Sequence, residues 1–150
     1  MPQSLARVYL HLVFSTKHRE PTLADEWRPE MFRMLGGIAN NQGCPALIVG
    51  GVADHVHLLC QLSRTITIAR LVNVLKSDSS AWANETKKLP GEFHWQNGYG
   101  AFSVSDTAVE AVKEYIQRQP EHHAQQSFKE EFREWLTRYG VEWDERYVWD

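Results

Sequence analysis

The chain has 150 residues, of which 43% are apolar and 23% charged, an ordinary globular composition that excludes intrinsic disorder. No apolar run approaches the ~18–20 residues that a membrane helix needs. Lys and Arg total 16 against 19 Asp and Glu, and a net charge of −3 excludes the strongly basic footprint of a duplex-coating protein.

The charge is uneven. Residues 1–105 carry ten basic and eight acidic residues, and residues 106–150 carry six and eleven. Binding to nucleic acid would therefore rest on local patches and on stacking by the six Trp, five Tyr and six Phe. The length predicts one domain spanning 1–150. The start, MPQSLARVYLHLVF, has neither a basic leader nor a small-residue cleavage site, so no signal peptide is expected. Two cysteines, Cys44 and Cys60, are too few for a disulfide framework, and a cytoplasmic location is expected.

In chain order, residues 7–15 alternate as a half-buried strand. Val8, Leu10, Leu12 and Phe14 fall on one face, and Arg7, Tyr9, His11 and Ser15 on the other. Residues 25–40 have helical spacing behind a capping Asp25, and Asn41, Gly43 and Pro45 end that helix. Residues 46–52 and 55–62 read as two strands of an antiparallel hairpin. Residues 66–83 read as a helix, 101–105 as a fourth strand, and 106–119 and 128–139 as helices. The order is β-α-β-β-α-β followed by helices. This predicts an α+β, ferredoxin-like fold, a four-stranded antiparallel sheet with two helices on one face. The other face is left for a partner, a ligand or the later helices.

The third strand carries the sharpest chemistry. Val56, Leu58, Cys60 and Leu62 form its apolar side, so His55 and His57 point together to the open face. Two imidazoles at i and i+2 can grip one metal ion, and imidazole suits Mn, Fe, Co, Ni or Zn. Histidine-triad hydrolases use a third histidine, but Leu59 fills that slot. On the helix 106–119, Tyr115 and Gln119 are four apart and share a face. A tyrosine can act as a nucleophile and a glutamine oxygen as a ligand, although a tyrosine on an amphipathic helix is usually a packing residue. Pro120 should bend or end the helix. Glu121, His122 and His123 are further ligands, a proton relay or a polar helix end. Asp54 either orients an imidazole or simply makes the turn between strands. Trp82, Trp95 and Trp135 are expected in the core, and the aromatic tail 140–150 is expected to dock on the body or cover a partner rather than be disordered.

HVHLL, WQNGYGAFSVS and YIQRQPEHH, in that order and spacing, resemble the single-tyrosine HUH transposases of the smallest bacterial insertion sequences. REP-associated tyrosine transposases belong to the same superfamily. The resemblance runs from RVYLHLVFSTKHR to DERYVW. It implies a metal-dependent single-stranded DNA transposase, with Mg or Mn held by His55, His57 and Gln119. Tyr115 would attack the scissile phosphate beside a DNA hairpin and form a 5′-phosphotyrosine. The resemblance also implies a homodimer that exchanges tyrosine helices, with hinges at Gly98, Gly100 or 103–106. DNA contacts would come from Arg7, Tyr9 and His11, from Lys17, His18 and Arg19, and from Arg64, Arg70 and Lys76. The same residues would serve a domesticated enzyme that processes repeated hairpins in the host genome. A non-catalytic hairpin-binding module would need none of His55, His57, Tyr115 and Gln119. A phosphodiesterase using water would not need Tyr115.

Overall fold

A computed structural model describes residues 3–87 and 89–149. Four antiparallel strands form one sheet in the order β2-β3-β1-β4. They are β1 (Tyr9–Ser15), β2 (Ala46–Val52), β3 (His55–Gln61) and β4 (Gly100–Val104). Two long helices, α1 (Arg28–Asn41) and α2 (Ile68–Thr86), pack together on one face. The ferredoxin-like α+β expectation holds.

Local chemistry accounts for the ends of these helices. Pro29 sits in the first turn of α1, where its missing N–H costs no hydrogen bond. The cap is Trp27 rather than Asp25, which instead pairs with Arg28. Thr67 caps α2 by accepting from the Arg70 amide at 3.1 Å.

Alternation divides β1 and β3 between two cores. Leu10, Leu12, Phe14, Val56, Leu58 and Cys60 face α1 and α2 in the main core. Cys44 and Cys60 are buried free thiols, and Trp95 lies in the same core with Trp82 packed against it. Val8, expected on this face, is exposed because the strand begins only at Tyr9.

The opposite face is covered by the chain's own later helices. These are α3 (Val109–Gln117), α4 (Gln119–His122) and α5 (Phe128–Arg138). Ser127 caps α5 by accepting from the Glu130 amide at 3.2 Å. Phe128, Phe132, Trp135 and Leu136 of α5 join Val13 and Phe102 of the sheet in a second core. The tail closes on it through Trp149. Val109 and Ile116 of α3 pack against Leu59 and Val104. This layer encloses the inner-face residues His11, His55 and His57, all buried. No helix among the described residues is long and apolar enough to cross a membrane.

Candidate metal centre and nucleophile

β3 presents His55 and His57 on the inner face, and each ring is fixed from behind. Asp54 Oδ1 lies 2.7 Å from His55 Nδ1. His11 Nε2, one strand away on β1, lies 2.8 Å from His57 Nδ1. Anchoring Nδ1 leaves each Nε2 facing the same enclosed space, the arrangement that outer partners impose on metal-binding imidazoles. Asp54 thus makes the turn and orients the imidazole as well.

Glu131 of α5 occupies the centre of that space, and its side chain is only 1% exposed. Its two oxygens face different groups. Oε1 lies 3.0 Å from His57 Nε2 and 3.4 Å from His55 Nε2. Oε2 accepts from Gln119 Nε2 at 2.8 Å and from the Tyr115 hydroxyl. His123 Nε2 lies 3.2 Å from Oε1, yet it is buried without an aligned hydrogen-bond partner.

α3 delivers Tyr115 to this carboxylate. The Trp135 indole N–H donates to the Tyr115 oxygen at 3.2 Å, and the His122 ring stacks on the phenol with centroids 4.7 Å apart. The predicted helix over 106–119 is not continuous. Residues Asp106–Ala108 form a 3-10 turn, α3 stops at Gln117, and Arg118 leaves helical geometry. Pro120 is the reason, since it has no amide for the preceding turn and its ring crowds that turn's carbonyl. The break starts α4 at Gln119, which is fully buried with its Oε1 3.0 Å from His55 Nε2.

The burial of these groups sets their electrostatics. Burial works to raise the Glu131 carboxyl, but His123, His55 and His57 outweigh it and hold the group far below the usual carboxylate range. Burial works to lower His55, but hydrogen bonds to Asp54 and Glu131 and their charges raise it to about 9. Burial lowers His57 and His11. Burial, then the charge and hydrogen bond of Glu131, push the Tyr115 phenol up.

The donor set fits a divalent cation. Ligand atoms of His55, His57 and Glu131 all lie within 4.8 Å of one another. The buried His123 nitrogen borders the same carboxylate oxygen. Two imidazoles with a carboxylate suit the first-row divalent metals.

One chain therefore brings His55, His57, Tyr115 and Gln119 together. Glu131 went unnoticed in the sequence. The available signal was a carboxylate inside the apolar seam of α5, between Phe128, Phe132 and Trp135.

The expected DNA contacts divide. Arg7, Lys17, His18, Arg64 and Arg70 are exposed. Tyr9 is half-buried against the group formed by Leu59, Val104, Val109 and Ile116. His11 is fully buried, because α5 covers the face expected to be open, and Trp135 packs edge-on against its ring. Arg19 donates to Gln96 Oε1 and to the Trp149 carbonyl. Lys76 donates to the carbonyls of Gln96, at 2.7 Å, and Gly98.

Known proteins resemble this chain in sequence and fold. Over 114 residues the chain is 28% identical to the ISDra2 transposase TnpA of Deinococcus radiodurans, covering 73% of this chain and 81% of that protein. A crystal structure of a transposase from Deinococcus radiodurans R1 superposes with a TM-score of 0.63 at 26% identity, covering 77% of this chain and 93% of that one. A REP-associated tyrosine transposase bound to a REP hairpin shares the fold, with a TM-score of 0.59 at 10% identity over 81% of this chain and 72% of that one. The family pattern described as "Transposase IS200 like" matches residues 4–119, from the start of the sheet through His55, His57 and Tyr115 to Gln119, and the chain belongs to that family.

Proposed function

We propose that the protein is a metal-dependent transposase that cuts and rejoins single-stranded DNA beside hairpins through a Tyr115 phosphotyrosine. The observation that carries this reading is the hydrogen bond from Tyr115 to Glu131, which ties the nucleophile to the carboxylate of the His55–His57 centre. Family membership supports the reaction class. The hairpin-bound relative of the same fold supports the substrate.

His55 Nε2, His57 Nε2 and Glu131 Oε1 would hold the cation, with Gln119 at its edge. A bound Mg or Mn ion would polarise the scissile phosphate and stabilise its developing charge. The protein's part is positional and protolytic. Trp135 and His122 fix the phenol, and Glu131 Oε2 accepts the hydrogen bond of its hydroxyl, whose proton passes on to the departing 3′ oxygen. The phenolate oxygen forms a bond to phosphorus as the bond from phosphorus to the 3′ oxygen breaks. The products are a 5′-phosphotyrosine and a 3′ hydroxyl that has gained a proton. The adduct conserves the phosphodiester bond energy, so attack by another 3′ hydroxyl rejoins the strand without an external energy source.

The test is a covalent-adduct assay with labelled single-stranded hairpin DNA from the ends of the protein's own genomic element, with Mn or Mg. Wild type should give a labelled protein band on a denaturing gel, and Tyr115→Phe and His57→Ala should give none. Cleavage that persists in Tyr115→Phe without an adduct would replace this reading with hydrolysis by water.

The family resemblance implies a homodimer, whereas the assembly of Tyr115 with His57 in one chain supports cleavage in cis. Mixing Tyr115→Phe with His57→Ala separates the two. Restored adduct formation means exchange between subunits, and continued inactivity of the mixture means cis action.

A further inference from the structure

The short helix α4 exists because Pro120 ends α3, and it presents two residues to the catalytic centre rather than one. Gln119 opens it and His123 caps it, the His123 amide donating to the Gln119 carbonyl at 3.0 Å. Residues four apart on a helix share a face, and both side chains reach Glu131. Their chemistry differs. Both ends of the Gln119 amide are engaged, the nitrogen by Glu131 Oε2 at 2.8 Å and the oxygen beside His55 Nε2 at 3.0 Å. The His123 side chain is only 9% exposed, and its Nε2 makes no aligned hydrogen bond. Resting on the metal-dependent transposase reading, we infer that His123 Nε2 is a third imidazole ligand of the catalytic cation, beside His55 and His57.

The placement of the rings carries this assignment. Nε2 of His57, His123 and His55 lie 3.0, 3.2 and 3.4 Å from one atom, Glu131 Oε1. Three ring nitrogens, two from β3 and one from the end of α4, thus converge on a single buried point. A carboxylate oxygen offers about two lone pairs. It cannot satisfy three ring nitrogens at once, and His123 is the one left without an aligned bond. A divalent cation has no such ceiling, because each neutral imidazole gives it a lone pair of its own. The His123 ring is also held in place. It stands edge-on to His55, with centroids 4.4 Å apart and planes at 64°, and its backbone is fixed as the cap of α4. Three imidazoles and one carboxylate form a donor set for a first-row transition ion rather than for Mg.

The test reads the histidines directly. Protein carrying isotopically labelled histidine is titrated with Zn, and long-range proton–nitrogen correlation spectra report which ring nitrogens bind the ion. Zn is diamagnetic and shares the preference for imidazole. Of the seven histidines, three should show a metal-bound Nε2 in wild type. His123→Phe keeps a ring and deletes the nitrogens, so it should leave two such signals. It should also weaken Mn binding in calorimetry by at least about tenfold. His123→Asn, which is smaller, makes the same assignment where the Phe ring is not accommodated. Two metal-bound histidines in wild type overturn the proposal, as do three that persist in both variants. Two bound imidazoles together with covalent adducts would remove His123 from the ligand set and leave the transposase reading. Three bound imidazoles without adducts would keep the ligand and remove that reading.

Discussion

Glu131 Oε1 lies 3.0 Å from His57 Nε2, although 74 positions separate the two residues. The contact joins α5, outside the family-matched region 4–119, to the strand that carries the histidine pair. Removing the carboxylate would leave buried imidazoles without their counter-charge. Glu131→Ala should therefore lose about 3 kcal/mol of stability in urea denaturation, the scale for breaking a buried charge pair. It should also weaken Mn binding, followed by calorimetry, by at least the ~10–100-fold that loss of an outer partner costs. Unchanged Mn affinity would remove Glu131 from the ligand set.

His11 acts one step further out. It touches His57 Nδ1 at 2.8 Å, and its ring stacks on that imidazole with centroids 5.0 Å apart. His11→Phe keeps an aromatic ring and deletes the nitrogen. The variant should remain folded by circular dichroism and bind Mn roughly tenfold more weakly, because His57 loses the group that aims it. DNA affinity measured without metal should be unchanged, since His11 is out of reach of solvent.

The metal-free protein should lose stability between pH 6.5 and 8. His55 is raised from its ordinary 6.5 to about 9, despite burial, by Asp54 and Glu131. Its charge therefore stabilises the fold fully below 6.5, and that stabilisation is lost as pH rises through 9. Lys76, pushed down to about 8 by burial, acts in the opposite sense above pH 8, so the window closes there. Melting temperature measured in EDTA should fall across this window in wild type. Asp54→Asn should flatten the decline, and an equal decline in that variant would assign it to another group.

Much of this arrangement was legible because it is local. The apolar run 46–52 and the alternation of 55–62 set both strands almost to the residue, and HVH placed two imidazoles on one face. Helical spacing put Tyr115 and Gln119 on one face and the family resemblance gave them roles, although the helix breaks between them and Pro120 re-aims the glutamine. The role of His11 was hidden. Its strand position was evident, but an exposed DNA contact and a buried partner of His57 have the same alternation. Only the packing of α5 decides between them. Glu131 was hidden for the same reason, since a helix seam records which side is buried and not which strand lies beneath it. The dual role of Asp54, in the turn and on the imidazole, needed the hairpin geometry itself.

The placement of Tyr115 depends on a residue that carries no side chain. Gly50 of β2 lies directly under α3, and a Cβ there would come within 2.7 Å of Ile116 Cγ2 and 2.8 Å of the Ile116 carbonyl oxygen. The second contact is with backbone, so a rotamer change cannot relieve it. Gly50→Ala must push α3 off the sheet, and Ile116 is the immediate neighbour of Tyr115. Overpacking of this kind costs about 1–3 kcal/mol. The phenol would also move away from Glu131. Urea denaturation should show that loss, and adduct formation should fall far more than Mn affinity, because His55, His57 and Glu131 lie on other elements. A variant with full adduct yield would show that α3 tolerates the shift, and that Tyr115 reaches its phosphate without close packing on β2.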